Sequence, residues 1–536
     1  MSEDTRPSII AGCLRHWAAH RPGHPALRWD GGQMTYAELD ERSNRAARGL
    51  ADLGVGRGDR VAYLDKNSPE QLELFVAAAK IGAVPCPVNY RLAPPEVAFI
   101  VSDSEAKVFV VGEEFVPVLR KIQPDLPGVQ GIVIGSGEGE RGGPGAGDGD
   151  GGWPVFAAWR DARDPVDPGF EAAPEDIACQ LYSSGTTGRP KGVQLTQANL
   201  SDGRDLYRQI MGLGPDAVSV VPMPLYHIGG TGWAMAGFWQ GATNVLVREI
   251  VPPRLLETML AERVTHGFIV PAVLQFMLAV PDVEKQDWST LEAILYGASP
   301  ISETVLAAAI RTFGCRFVQA YGLTESTGTV LYLPAADHDP DGPARHRLRS
   351  CGIPIPGVEV KIVDPTTAAE QPAGEVGEIW VKGPTVMAGY WHLPEQTADT
   401  VRADGWLRTG DAGYRDEDGY FYIHDRVKDM IVSGGENVYP AEVENVVMSH
   451  PDVADVAVIG IPDDKWGETP RAMVVRRPGS ELAEADLIAF CRERLAGFKC
   501  PTSVGWLDEL PRNPSGKVLK KDLRAPFWEG LNRMVG

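Results

Sequence analysis

The sequence has no run of about eighteen apolar residues, the length a helix needs to cross a bilayer. Its richest stretch, LFVAAAKIGAVPCPV, is broken by Lys80, Gly82 and prolines. No transmembrane segment is expected, and only peripheral membrane contact stays open. Paired cysteine motifs are missing too. The seven cysteines, Cys13, Cys86, Cys179, Cys315, Cys351, Cys491 and Cys500, stand far apart with no C-x-x-C among them. That spacing suggests neither a zinc site nor a disulfide framework, and it fits a reducing, cytoplasmic setting. Positive charge is short: 51 basic residues against 72 acidic ones leave a net charge of −21. Such a balance disfavours nucleic acid or an anionic membrane as general partners. The opening MSEDTRPSII lacks the basic-then-apolar build of a secretory signal, so none is expected.

What is present describes a folded chain of more than one domain. The composition is 43% hydrophobic and 23% charged, near the globular average. At 536 residues the chain exceeds the roughly 250 to 300 at which single cores stop growing. Short β-branched runs recur, RVAYLD at 60, KVFVVG at 107, GIVIG at 131, SVVPMP at 219, TNVLVRE at 243, HGFIVP at 266 and AILYG at 293. Helical-period segments lie between them, over 36–53, 68–81, 253–263 and 302–313. The alternation predicts an α/β fold class with largely parallel strands.

Gly135 to Gly152, GSGEGERGGPGAGDGDGG, has too few apolar side chains to offset its ordering entropy and reads as a surface loop. After about 355 the pattern changes to VEVKIVD and GEIWVKG, expected to pair antiparallel in a small β subdomain. The tail reads as a compact α+β unit: helix 441–450, strands VADVAVIGIP and RAMVVRR, helix 484–495 and strand SVGWLDEL. The expected domains are 1–427 and 428–536, with the boundary inside HDRVKDMI.

The densest chemistry lies in YSSGTTGRPKGVQLT at 182–196. IACQLYSS ahead of it reads as a strand, and TQANLSDGRDLYRQIM behind it reads as a helix. Glycines there let backbone N–H groups approach an anion, hydroxyls add donors, and Lys191 adds charge, so phosphate is the expected ligand. A Walker A loop needs a hydroxyl directly after its lysine. Gly192 follows Lys191, and only two residues separate Gly185 from Gly188, so that reading fails. An ordinary glycine-rich loop is the bland alternative.

YSSGTTGRPKG resembles the signature loop of the adenylate-forming superfamily of acyl-CoA synthetases, luciferases and peptide-synthetase adenylation domains. Further motifs of that family follow in order: PLYHIGG at 224, YGLTEST at 321, GWLRTGDAGYRDEDGYFYIHDRVKDMIVSGGENVYPAEVE at 405 and PRNPSGKVLK at 511. The resemblance implies a large N-terminal domain of layered α/β subdomains and a small, mobile α+β C-terminal domain. It implies that a carboxylate attacks the α-phosphate of ATP, giving acyl-AMP and pyrophosphate, and that a thiol then takes the acyl group.

Two anions meet in the first step, so charge neutralisation and alignment matter more than proton shuttling. By the resemblance, Lys517 bridges carboxylate and phosphate oxygens, Glu325 holds Mg2+ and Thr324 contacts the α-phosphate; a lone carboxylate with phosphate oxygens is a common magnesium environment. Ser183, Ser184, Gly185, Thr186, Thr187, Gly188 and Lys191 form the phosphate loop, with Thr186 also counted as catalytic. Gly297, Ala298, Ser299, Gln319, Ala320 and Tyr321 continue the nucleotide and acyl site. Asp411 and Arg426 match the pair on the ribose hydroxyls. His227 matches a histidine beside the acyl and phosphate sites, although a structural, hydrogen-bonded role is equally open to a histidine after a short strand. Lys428 matches the hinge, and Ser433, Gly434 and Gly435 match the pantetheine channel.

Relatives specific for acetate close the acyl pocket with a tryptophan, where this sequence has Gly322. With Gly297 and Ala298 also small, a deep slot is expected, suited to a medium or long fatty acid or a bulky aromatic or polycyclic one. These small residues could instead serve strand packing. Amino-acid-activating relatives carry an aspartate that this sequence replaces within Tyr226, His227, Ile228 and Gly229. The sequence ends shortly after Lys517, so free coenzyme A is the expected acceptor, in a monomer or homodimer. A fatty-acyl-AMP ligase serving a carrier protein, and a silent nucleotide-binding relative, are the alternatives.

Overall fold

The computed structural model describes residues 9–135, 153–183, 190–299, 301–365, 367–426, 429, 431–433, 436–438, 440–463, 466–512 and 518–529. By packing, the chain forms two compact units: one runs to Glu359 and adds Val381–Leu407, the other comprises Val360–Trp380 and Arg408 onward.

In the first unit, β-branched runs that bury both faces become central parallel strands. Val108–Gly112 is buried at every position. It lies between Arg60–Leu64 and Gln130–Ile134, with Val84–Pro87 at one edge, and all four strands are parallel. A nine-stranded sheet has a parallel centre of Pro25–Trp29, Thr243–Leu246, Val218–Val221, His266–Phe268, Ala293–Gly297 and Arg316–Leu323, in that spatial order. Antiparallel strands finish both ends, Gly32–Thr35 at one, Gly328–Leu333 and Ile353–Pro354 at the other. Every β-branched run quoted above is therefore a strand.

Helices Tyr36–Asp52, Pro69–Ala79, Pro252–Ala261 and Glu303–Phe313 form at the expected places, their ends shifted by a residue or two. Their starts are chemically marked. Thr35 and Glu38 make a reciprocal capping box, and Ser68 and Ser302 accept from the N–H three residues on.

The stretch around the glycine-rich loop differs from the expectation. A strand, Lys191–Thr196, stands between loop and helix and pairs antiparallel with Ile177–Ser183, so the loop joins two strands of a hairpin. Gly389–Tyr390 adds a third strand beside it. The expected single helix is two, Gln197–Asp202 and Leu206–Met211. The break falls in SDGRD, where Gly203 is a weak helix former and the short polar side chains of Ser201, Asp202 and Asp205 compete for backbone bonds.

The second unit holds two sheets. Glu359–Val363, Gly377–Lys382, Leu407–Arg415 and Phe421–Arg426 are neighbours in one. The other orders Glu436–Val438, Ile431–Ser433, Gly467–Arg476 and Val453–Asp463, with Ser503–Leu507 parallel to Gly467–Arg476. Helices Pro440–Met448 and Glu484–Arg492 bury Val443, Val447 and Leu487 in its core. The expected boundary at 427/428 falls within this unit, at positions outside the described residues, as do 136–152 of the glycine-rich excursion. Among the described residues no helix is long and apolar enough to cross a membrane.

Candidate active site

Parallel strands in register present their carboxyl ends along one edge, where open α/β sheets place their ligands. Three expected site segments leave the nine-stranded sheet there: Met223–His227 after Val218–Val221, Ala298–Ser299 after Ala293–Gly297, and Thr324–Glu325 after Arg316–Leu323.

From the three-stranded sheet, Glu325 is met by the strand ends that flank the glycine-rich loop. Ser183 and Lys191 are cross-strand partners at its root; Ser184, Gly185, Thr186, Thr187 and Gly188 lie outside the described residues. The root is braced from below. Tyr182 Oη donates to Asp103 Oδ2 at 2.6 Å and accepts from Gln180 Nε2 at 3.1 Å. A Cβ at Gly192 would lie 2.7 Å from Gln180 Nε2, so a side chain there would have to displace the amide that donates to Tyr182.

Glu325 sits half-buried in a single 3-10 turn, Thr324–Ser326. Ser326 Oγ accepts from the Leu323 N–H at 3.0 Å, and Thr327, left-handed at φ 59°, donates from Oγ1 to the Thr385 carbonyl at 2.6 Å. The Glu325 carbonyl accepts from the Met387 N–H at 2.9 Å. The turn therefore has little freedom, and its carboxylate is held as well: Oε1 accepts from Ser183 Oγ at 3.2 Å and from Tyr390 Oη at 3.0 Å. Lys191 Nζ stands 4.7 Å from the centre of the Tyr390 ring. Burial and the neighbouring carboxylate hold the Tyr390 hydroxyl well above its usual pKa, so it is a donor. Ser183, Lys191 and Glu325 are thus brought together, through a tyrosine that sequence reasoning did not single out. In MAGYWHLP an aromatic residue reads as core.

His227 opens helix Ile228–Gln240, its carbonyl accepting from the Gly230 and Thr231 N–H groups at 3.0 Å each. The segment before it is pinned by Asn67, also missed, which is 6% exposed. Asn67 Nδ2 donates to the Met223 carbonyl at 3.0 Å and the Val247 carbonyl at 3.2 Å, and Oδ1 accepts from the Leu225 N–H at 3.0 Å. Tyr226 packs on His227 with ring centres 4.5 Å apart and meets Tyr90 edge-on at 5.5 Å. Its buried hydroxyl has no hydrogen-bond partner among the described residues, and neither has Gln319 Oε1. Unpaired buried polar atoms are costly and invite a ligand or water.

The glycines of the expected slot have a different cause. A Cβ at Gly297 would lie 2.0 Å from the Ala320 carbonyl oxygen, and one at Gly322 would lie 1.4 Å from that of Gly328. Close main-chain approach therefore explains the missing side chains, and a tryptophan at 322 is not a simple pocket filler. Ala320 and Tyr321 are buried in the strand, while Ala298, left-handed at φ 65°, and Ser299 are exposed beyond Gly297.

In the second unit, Asp411 and Arg426 are direct partners across antiparallel strands. Asp411 is 6% exposed, and its N–H donates to Thr409 Oγ1 at 3.1 Å. Ser433 ends the strand Ile431–Ser433 and is itself buried; Gly434, Gly435, Lys428 and Lys517 lie outside the described residues.

A hairpin rooted at Ser183 and Lys191 beside a tethered carboxylate is a setting suited to an anionic ligand and its counter-ion. Residues 14–391 match the AMP-binding enzyme family and residues 442–517 its C-terminal domain. The chain is 40% identical to a fatty acid–[acyl-carrier-protein] ligase, ScoC, of Streptomyces coeruleorubidus, over 97% of this chain and 96% of that one. It is 38% identical to a feruloyl-CoA synthase of an Amycolatopsis species, over 96% and 99% of the two chains. The crystal structure of ATP-bound MatB from Rhodopseudomonas palustris superposes with a TM-score of 0.86 at 30% identity, covering 97% of this chain and 99% of that one. The chain belongs to the AMP-binding enzyme family. It is an AMP-forming acid–thiol ligase.

Proposed function

We propose that the protein activates a medium- or long-chain fatty acid, or a bulky aromatic or polycyclic acid, as its adenylate and passes the acyl group to coenzyme A. The observation that carries the nucleotide reading is the Glu325 carboxylate, tethered by Ser183 and Tyr390 at the root of the hairpin loop beside Lys191.

In this reading the loop, Ser183 to Gly188, and Lys191 receive the β- and γ-phosphates. Thr324 faces the α-phosphate, Asp411 with Arg426 holds the ribose hydroxyls, and Lys517 neutralises the charge that builds as carboxylate meets phosphate. Gly297 to Ser299 and Gln319 to Tyr321 contribute the wall shared by nucleotide and acid, and His227 stands at the acyl side. Lys428 is the hinge that presents Lys517 for the first reaction and withdraws it for the second, and Ser433 to Gly435 line the thiol's path.

Mg2+ fits the donor set. Among the described residues no group of three or more His, Cys, Asp or Glu could hold a metal, and a single carboxylate suits a hard cation ligated mainly by phosphate oxygens and water. Bound there, Mg2+ would neutralise triphosphate charge and fix its orientation. The chain's own part is to keep the carboxylate oriented and braced.

The acid classes are supported by relatives named for a fatty acid and for feruloyl-CoA. The ScoC relative also favours a second reading of the acceptor, a carrier-protein thiol. Incubation with an acid library and ATP, with coenzyme A or a phosphopantetheinyl carrier protein, followed by mass spectrometry, separates them. Acyl-CoA is expected; acyl-AMP that turns over only with the carrier protein would transfer the conclusion to the second acceptor.

A further inference from the structure

Tyr390 touches two of the charged groups that would meet the triphosphate, yet the chemistry itself does not call for a tyrosine. Its hydroxyl donates to Glu325 Oε1 at 3.0 Å, and its ring carries Lys191 Nζ at 4.7 Å from the centroid. Its main chain is held on every side. The residue pairs with Val193 in the three-stranded sheet, and its N–H donates to Thr397 Oγ1 at 2.9 Å. The Trp391 N–H donates to the Gly192 carbonyl at 2.8 Å, and the Trp391 indole donates to the Asp103 carbonyl at 2.9 Å. At 8% exposure the side chain has little room to move.

Electrostatics supplies the reason for such a residue. A lysine and a glutamate about 4 Å apart gain roughly 1–4 kcal/mol by pairing directly, depending on how wet the site is. A direct pair would spend both charges on each other. Among the described residues Lys191 and Glu325 form no ion pair. The ring's negative face takes the ammonium, and the hydroxyl takes one carboxylate oxygen. Ser183 Oγ binds that same oxygen, leaving Oε2 without a hydrogen bond among the described residues.

We propose that Tyr390 is a positioning residue for nucleotide activation. It holds Lys191 on its face and Glu325 Oε1 on its hydroxyl, keeps the two charges from pairing, and so leaves Glu325 Oε2 free for the metal-bound triphosphate. This rests on the nucleotide reading above. It adds that the tyrosine hydroxyl acts through the carboxylate and the ring acts through the lysine, so the two contributions are separable.

Tyr390→Phe removes the hydroxyl and keeps the ring; Tyr390→Leu removes both. Binding of a non-hydrolysable ATP analogue is measured by calorimetry with Mg2+ and with Mg2+ chelated, beside ATP–pyrophosphate exchange and thioester formation from preformed acyl-AMP. Tyr390→Phe is expected to lose about tenfold in affinity with Mg2+, the scale of one hydrogen bond to a charged group, and nothing without it. Tyr390→Leu is expected to lose affinity in both conditions, and thioester formation is expected to be unchanged in both variants. Tyr390→Trp, which keeps an aromatic face but not this hydroxyl, should behave as Tyr390→Phe and serves if the phenylalanine variant does not fold. Equal loss with and without Mg2+, or wild-type affinity in a folded Tyr390→Phe, overturns the proposal. Absence of exchange in the wild-type protein with every acid would instead overturn the nucleotide reading on which it stands.

Discussion

A Cβ placed on Gly322 would stand 1.4 Å from the carbonyl oxygen of Gly328. The two residues lie on antiparallel strands, where the register shifts between Tyr321 and Gly322 just before the turn that carries Glu325. Gly322→Trp is therefore expected to distort that turn, at or beyond the roughly 1–3 kcal/mol of an overpacked site. A lowered melting temperature and loss of ATP–pyrophosphate exchange with every acid are the expected results. A well-folded variant that prefers acetate would restore the pocket-filling interpretation.

Asn67 stabilises the approach to His227 from a distance in sequence. Asn67→Ala would leave the Leu225 N–H and the Met223 and Val247 carbonyls, now bonded at 3.0, 3.0 and 3.2 Å, without their partner. The expected cost is about 2–3 kcal/mol, with a drop in kcat for adenylation. Chemical denaturation and exchange kinetics check both; a change below about 0.5 kcal/mol, the scale of an ordinary surface substitution, would contradict the assignment.

His338 gives the fold a specific acid response. Burial lowers its pKa from 6.5 to about 4, opposed by the hydrogen bond to the Pro334 carbonyl and the charge of Asp337. Its Nε2 meets Tyr296 Oη at 3.0 Å, on the strand that ends at Gly297. Because the folded pKa is the lower one, the unfolded chain binds the proton first. Stability is then full above about 6.5 and falls as pH drops through the interval toward 4, by roughly 3 kcal/mol below both values. His338→Gln, which can still accept from Tyr296, should flatten this part of the pH–stability curve; an unchanged slope between pH 6.5 and 4 would exclude His338 as the source.

In the proposed function Lys517 serves the first half-reaction and not the second. Lys517→Ala is expected to reduce adenylation by several orders of magnitude, as removal of a charge-stabilising group in a transition state does. Preformed acyl-AMP should still be converted to thioester. Stopped assays of each half-reaction decide it, and equal loss in both would contradict the role assigned.

Much of this was legible locally. The VFVVG and AILYG runs, set between helical-period segments, read as strands of a largely parallel sheet, and the helices beginning near 36, 68, 253 and 302 form within a residue or two of where their period places them. The hairpin strand at 191–196 was masked by the helix pattern behind it, because VQLT pairs with residues that adjacency alone does not weigh. Gly322 reads as an open slot or as strand packing, and the carbonyl oxygen on the next strand, which no local pattern reveals, favours the second.

By itself, then, the sequence determined the class of chemistry. A loop of glycines, hydroxyls and one lysine, with a glutamate and a late lysine in separate motifs, specifies which charges are available, and charge type is a property of residues. Only the tertiary structure decided how those charges are kept ready. Tyr390 reaches Glu325 and Lys191 because a two-residue strand, Gly389–Tyr390, adds to the hairpin. Asn67 reaches Met223, Leu225 and Val247 because two sheets meet there. Hydrogen bonds and ring contacts act over about 3–6 Å, so they depend on which distant segments folding brings together.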